Sequence, residues 1–401
     1  MDPAPACPPV ATGHFRHAIE SAPRHPSEFT ERREEKMQIE AAVARKKFGP
    51  LNFETLDLEE PRHNEVRVRL AASGVCHTDM AIRDQKIVPM RQPIVLGHEG
   101  AGIVEKVGAS VVKVKVGDRV ILSGDSCGNC PSCQISLPSY CYEFFQRNFG
   151  GGRADGTSPL SVNGEKVHTF MGQGSFATHV VCHDRNVIAV AKDAPLELLG
   201  PLGCGVITGA GAVINSLKVG VGKSIAIFGT GSVGLSGVMA AKLVGAGKII
   251  AIDLRDDRLK LAMELGVTHT IDPSKESIPE AIKKITGNGV DFTLETTALM
   301  PVLRQAIDVL ALRGTCGFVG GAPEDSELTF VASHVMNGGR TIRGIILGDT
   351  NPEEFLPKLI ELHALGRFPL EKLVTFYPFK DINRAIEESL NGKCVKPIVR
   401  F

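Results

Sequence analysis

Four cysteines fall within fifteen residues, as Cys127-Gly-Asn-Cys130-Pro-Ser-Cys133 followed by Cys141. Thiolates this close together on a Gly- and Pro-bearing loop can wrap one tetrahedral ion, and soft sulfur ligands favour zinc or an iron–sulfur cluster. A ferredoxin-like run sets its fourth cysteine three residues on, with proline after it. Here seven residues intervene and Tyr142 follows. The spacing predicts a closed structural zinc site at Cys127, Cys130, Cys133 and Cys141.

Three more potential ligands lie far apart: Cys76 in Cys76-His-Thr-Asp79, His98 in Gly97-His98-Glu99, and Cys204 in Gly203-Cys204-Gly205. Singly they are unremarkable, since a lone cysteine is most often a small buried hydrophobe. Together they would supply two thiolates and one imidazole and leave a fourth position open, as catalytic zinc requires. Their spacing alone does not pair them.

Gly229-Thr-Gly231-Ser-Val233-Gly234 follows an apolar strand-like run and opens a helical one. In that context the glycines let the backbone approach a pyrophosphate, whose charge faces the positive end of the helix. Asp253 ends the next strand-like run, nineteen residues after Gly234. A carboxylate there accepts hydrogen bonds from an adenosine ribose and repels a 2′-phosphate, which favours NAD over NADP. Arg258 and Arg255 are nearby cations that could instead accommodate that phosphate. A methyltransferase could reuse these glycines but would leave the metal residues unexplained.

The elements that must position these groups divide into two halves. From Met37 to about Val190 the chain reads as short strands, among them Glu65–Leu70, Gly102–Val107 and Arg119–Leu122, and predicts a β-rich, partly open barrel. After Lys218 strands alternate with helices: strands 224–228, 248–253, 290–295, 315–319 and 341–347, helices 232–246, 256–265, 278–285 and 300–312. Such alternation predicts a parallel sheet covered on both faces. The C-terminal stretch, ending in Pro397–Phe401, is expected to return to the first half. The Tyr142–Gln173 loop, with Gly150-Gly-Gly152 and Asp155-Gly156, resembles a stretch kept in dimeric relatives, or is an unstructured surface insert.

Lys plus Arg balances Asp plus Glu at 45 each, so bulk charge makes no case for nucleic acid or an anionic membrane. Apolar runs are too short to span a bilayer. Residues 1–36 are rich in Pro, His, Arg and Glu and lack the apolar core of a signal peptide. They are expected to be a disordered extension, with the ten cysteines in a reducing, cytoplasmic interior as free or metal-bound thiols. Cys7, Cys182, Cys316 and Cys394 have no partner at metal spacing and are expected to be ordinary thiols.

From Met37 to Phe401 the chain resembles the zinc-dependent medium-chain alcohol dehydrogenases. Gly97-His-Glu-Gly-Ala-Gly102, the four-cysteine lobe, Cys204 and the glycine fingerprint carry the resemblance. Phe176-Ala-Thr-His, Pro195–Gly205 and Thr208-Gly-Ala-Gly-Ala212 are most similar to the aryl-alcohol (benzyl-alcohol) members. The resemblance implies an α/β protein: a β-rich GroES-like catalytic domain (37–205 and 348–401) plus a Rossmann, doubly wound NAD-binding domain (206–347). It implies two zinc ions, the catalytic one on Cys76, His98 and Cys204. Asp79 would orient His98, Glu99 would lie behind the metal, and Thr78 would hydrogen-bond the alcohol oxygen. Many members carry a histidine three residues after this threonine, as the end of a proton relay. Here that residue is Ala81, and His77, where other members place an arginine against the pyrophosphate, could take some of either role. Gly229, Gly231, Val233, Gly234, Asp253, Arg258, Thr208 and Lys396 would contact the cofactor, Lys396 standing where relatives often have an arginine over the phosphates. The implied reaction is NAD-dependent oxidation of a primary aryl or allylic alcohol by a homodimer or homotetramer. A glutathione-adduct or polyol dehydrogenase, or a silent NAD- and zinc-binding member, are the alternatives.

Overall fold

A computed structural model of the protein describes residues 36–401. The expected extension, Cys7 included, lies outside the described residues save for Lys36. The alternating Glu65–Leu70 stretch forms part of β3 (Glu65–Gly74), with Val66, Val68 and Leu70 buried and Arg67 and Arg69 turned outward onto Glu105. Period-two patterning on a half-covered sheet produces that arrangement. β1 (Met37–Ala44), β2 (Asn52–Leu58), β7 (Leu160–Val162), β8 (Glu165–Thr169) and β4 (Ile94–Val95) close into a barrel, where a partly open one was expected. β7 and β8, with the helix Phe144–Phe149, come from the Tyr142–Gln173 stretch. That stretch is therefore part of the barrel and not an unstructured insert.

The second sheet runs β10 (Val187–Val190), β6 (Arg119–Leu122), β5 (Gly100–Val107), β3, β18 (Lys396–Arg400) and β17 (Val374–Pro378), with β9 (His179–His183) also on β3. Val75 N–H donates to Pro397 O across 2.9 Å, so the C-terminal strand borders the loop that carries Cys76.

The third sheet is all parallel, in the order β13 (His269–Ile271), β12 (Lys248–Ile252), β11 (Ser224–Phe228), β14 (Val290–Glu295), β15 (Leu310–Phe318) and β16 (Thr341–Gly344). Ile225–Phe228 and Ile249–Ile252 are buried throughout, as strands covered on both faces must be. The strand order reverses between β11 and β14, and ligands of such sheets bind in the crevice at that switch point. Several boundaries differ from expectation: the helix at 232 ends at Leu243 and not at 246, and β15 begins at Leu310 and not at 315. The helix at 300 ends at Asp308, because Leu310 already pairs with Val290. The last strand ends at Gly344, and Leu347 adopts a positive φ in a short turn. Among the described residues no single helix is long and apolar enough to cross a membrane.

Phe176 ties the barrel to the metal-bearing loops. Its N–H donates to Leu96 O, its carbonyl accepts from Ala42, and its fully buried ring lies against Gly97. Phe176→Ala is expected to cost about 3–5 kcal/mol, read as a lower urea midpoint by circular dichroism.

Candidate active site and metal centres

Cys76 leaves β3 in extended conformation and caps the helix His77–Arg83. Asp79, three residues on, reaches back: its Oδ2 accepts the Cys76 N–H at 3.0 Å. Its Oδ1 accepts the Gly97 N–H at 3.0 Å and faces His98 Nδ1 at 2.8 Å. Gly97 turns with φ +89°, and a Cβ there would lie 2.6 Å from the Phe176 ring, so only glycine fits. With Nδ1–H held by a carboxylate, Nε2 is left as the ligand atom. It lies 3.2 Å from Cys204 Sγ. Cys204 sits between the turn Gly200–Gly203 and the helix Gly205–Gly211, and a Cβ at Gly203 would lie 2.0 Å from Leu122 O.

The ligand atoms of Cys76, His98, Glu99 and Cys204 all lie within 4.8 Å of one another. The Cys204 thiol hydrogen-bonds Cys76, which holds Cys76 well below the usual thiol range and pushes Cys204 well above it. A divalent cation would take both as thiolates. Two sulfurs and one imidazole nitrogen, the nitrogen set by an outer carboxylate, form a donor set that fits zinc with one open position.

Glu99 and Lys396 lie behind these ligands. Lys396 Nζ is 2.9 and 3.0 Å from the two Glu99 oxygens and 3.3 Å from Val75 O. All three of its donor positions are thus engaged, which differs from the expected role over the cofactor phosphates. Burial pushes the Glu99 carboxyl up to about 7, Lys396 pulling the other way. Burial also opposes charge on Lys396, but Glu99 beside it holds the ammonium above the usual lysine range.

A cleft of about 380 Å³ runs from this centre to the switch point of the parallel sheet. His77, Thr78 and Ala81 line it with Gly229, Gly231, Val233 and Lys396. Gly229 has φ +89°, and a Cβ at Gly234 would lie 1.9 Å from Gly229 O, so the turn closes only without side chains. In front of Gly231 nothing lies within 4 Å, which leaves room for a phosphate to approach the backbone. Asp253 Oδ2 accepts from Thr230 N–H and Oγ1–H, both at 2.7 Å. The remaining expected residues are not on the cleft wall. Thr208 donates its hydroxyl to Cys204 O at 2.8 Å. Arg258 donates to Gly392 O and Cys394 O at 3.0 and 2.6 Å, bracing the turn before β18. Arg255 pairs with Asp257. Thr296, Thr297, Gly320 and Gly321 also line the cleft and were not foreseen. They follow the C-terminal ends of β14 and β15, where ligands of such sheets bind.

The four-cysteine lobe stands apart. Cys127 and Cys133 sulfurs are 3.9 Å apart, close to the ~3.8 Å edge of a tetrahedron with metal–sulfur bonds of ~2.3 Å. A disulfide would bring them to about 2.0 Å. Backbone N–H groups of Cys127, Cys130, Tyr142 and Glu143 point at the sulfurs of Cys141, Cys127, Cys130 and Cys141 respectively. The donor set fits a closed tetrahedral zinc site. Cys182, Cys316 and Cys394 are free and buried, and burial pushes all three thiols up.

The chain matches the family models for the alcohol dehydrogenase GroES-like domain over residues 62–192 and for zinc-binding dehydrogenases over residues 232–364. It is 44% identical to a geraniol dehydrogenase of Castellaniella defragrans over 368 residues, 91% of this chain and 98% of that protein. Among solved structures, an alcohol dehydrogenase zinc-binding domain protein from Burkholderia ambifaria superposes with TM-score 0.89 at 49% identity, covering 92% of this chain and 100% of that one. Benzyl alcohol dehydrogenase from Acinetobacter calcoaceticus superposes with TM-score 0.88 at 43% identity, covering 91% and 99%.

Asp79→Asn should weaken metal binding at the inner centre by about 10–100-fold, measured by competition with a chelator. Cys130→Ser should remove one zinc per chain by elemental analysis and lower the melting temperature, with the inner metal retained.

Proposed function

The chain belongs to the zinc-dependent medium-chain alcohol dehydrogenases, oxidoreductases acting on alcohols, and within that family we propose that it oxidises a primary aryl or allylic alcohol to the aldehyde with NAD, using two zinc ions per chain. The observation that carries this is the convergence of Cys76, His98 and Cys204 at the inner end of the cleft, with Thr78 beside them. Geraniol and benzyl alcohol, named for two relatives at 44% and 43% identity, both carry the alcohol carbon next to an sp² carbon. That shared feature supports the substrate class. Asp253 at the end of β12 supports NAD over its 2′-phosphorylated form.

When bound, zinc supplies positive charge at the alcohol oxygen, and nicotinamide supplies the hydride acceptor. Cys76, Cys204 and His98 would hold the metal, with Asp79 fixing the His98 ring through Nδ1 so that Nε2 is the atom left to bind. Thr78, whose Oγ1 is 3.6 Å from Cys76 Sγ, takes the hydroxyl proton and passes it outward. Ala81 offers no proton acceptor, so the proton leaves to His77 at the cleft wall or to water. Bound NAD would supply the acceptor for the carbon-bound hydrogen and its electron pair, so that alcohol plus NAD would give aldehyde, NADH and one proton, and the chain's own task would be to move the hydroxyl proton. The walls of the cleft align the partners and exclude water. The cysteines of the described residues fall in two metal-binding groups or lie singly and buried, which supports a reducing, cytoplasmic location. The protein acts as a homodimer or homotetramer.

A panel of benzyl alcohol, geraniol, ethanol, sorbitol and hydroxymethylglutathione, each with NAD and NADP, tests the assignment. Benzyl alcohol and geraniol with NAD should give the highest kcat/KM. Preferred turnover of sorbitol or the glutathione adduct would transfer the protein to another branch, and no turnover at all would make it a silent member. Cys76→Ser should abolish turnover while NADH still binds, as followed by fluorescence. Retained activity without inner zinc would refute the mechanism.

A further inference from the structure

The Glu99–Lys396 pair is sealed from water, its side chains 0% and 2% exposed. The backbone at Gly74 is bare where the carboxylate lies, since a Cβ there would be 2.0 Å from Glu99 Oε2, and Gly200 lets its chain pass the Glu99 backbone carbonyl, 2.3 Å from where a Cβ would stand. Gly205 N–H adds a hydrogen bond to Oε1 at 3.2 Å. Burying two charges costs several kcal/mol per ion, and an apolar pair of similar volume would hold β18 against the Cys76 loop at least as well. Stability alone therefore does not account for the pair.

Its position does. Glu99 follows His98 directly in the chain, and its carboxylate shares the 4.8 Å cluster with the ligand atoms of Cys76, His98 and Cys204. Carboxylate oxygen is itself a good zinc ligand. The same group thus stands between two cations, the ammonium behind it and the metal in front. Only when it stays with the ammonium does the fourth coordination position remain open for an alcohol. We infer that Lys396 is a positioning residue that withholds Glu99 from the inner metal and so keeps the substrate's coordination place free. This rests on the inner centre holding a metal, as proposed above. Lys396 Nζ donates to Glu99 and to Val75 O, so its action on the centre runs through Glu99.

The test uses the full chain with cobalt(II) in the inner centre, whose thiolate-to-cobalt absorption reports the ligand set, and imidazole as the probe of the open position. In the parent protein imidazole shifts the visible bands. In Lys396→Met the carboxylate moves onto the metal, the bands change before imidazole is added, and imidazole binds at least about tenfold more weakly. The double variant Glu99→Gln/Lys396→Met removes the competing ligand and restores affinity to within about twofold of the parent. Glu99→Gln alone also stays within about twofold, because the carboxylate is already off the metal. A purely structural role for Lys396 would lower the melting temperature without moving imidazole affinity, and the second substitution would not rescue it.

Unchanged imidazole affinity in Lys396→Met, or failure of the double variant to recover it, overturns the inference. So does a tenfold gain in Glu99→Gln, which would put the carboxylate on the metal despite Lys396. If Lys396→Met does not fold, Glu99→Gln and the charge-neutral double variant still decide. Absence of any thiolate-to-cobalt band in the parent protein would instead sink the metal reading itself, a separate outcome.

Discussion

One carboxylate, that of Asp79, holds the inner centre together. It accepts from the backbone of Cys76 and of Gly97 and faces His98 Nδ1, all within 3.0 Å. It therefore joins the end of β3 to the turn after β4 and sets the imidazole tautomer at the same time. Buried and fully used, such a group tolerates little displacement, because any partner lost leaves an uncompensated charge or an orphaned N–H. Cys204 is brought to the same point by a different device, the glycine-lined turn that presses against β6.

Behind this first set lies the ion pair of Glu99 and Lys396, which fastens the C-terminal strand to the metal-bearing loops. On another side an aromatic column leads away from His98. Phe170 meets the imidazole edge-on at 5.1 Å between centroids, Phe149 meets Phe170 at 5.6 Å, and Phe144 packs among the lobe cysteines. The lobe is anchored in turn by Tyr140, whose hydroxyl donates to Asp349 at 2.5 Å. The four-cysteine lobe thus braces one side of the inner cluster without sharing a residue with it.

Much of this was legible in the chain. Period-two and parallel-strand patterning placed β3, β6, β11, β12 and β14, because alternation and continuous apolarity follow directly from which faces are covered. The cysteine lobe and the glycine fingerprint were legible because their parts are neighbours in sequence. The closed barrel was not, since β7 has only three residues, β8 is mostly polar, and closure depends on their pairing with β2 and β4, distant in sequence. The cleft residues Thr296, Thr297, Gly320 and Gly321 carry no motif, yet the rule that ligands bind beyond the carboxyl ends of parallel strands could have found them.

By itself the sequence determined the parts whose physics is local: four thiols on one loop, a glycine turn before a helix, strand and helix periods, and a resemblance strong enough to name the inner ligands. Only the tertiary structure decided how distant groups share charge. It put Asp79 between two loops, turned Arg258 onto the carbonyls before β18, and gave the Lys396 ammonium to Glu99 instead of the open cleft. A buried cation must find the anion that the fold places beside it, and that anion lies 297 residues away in the chain.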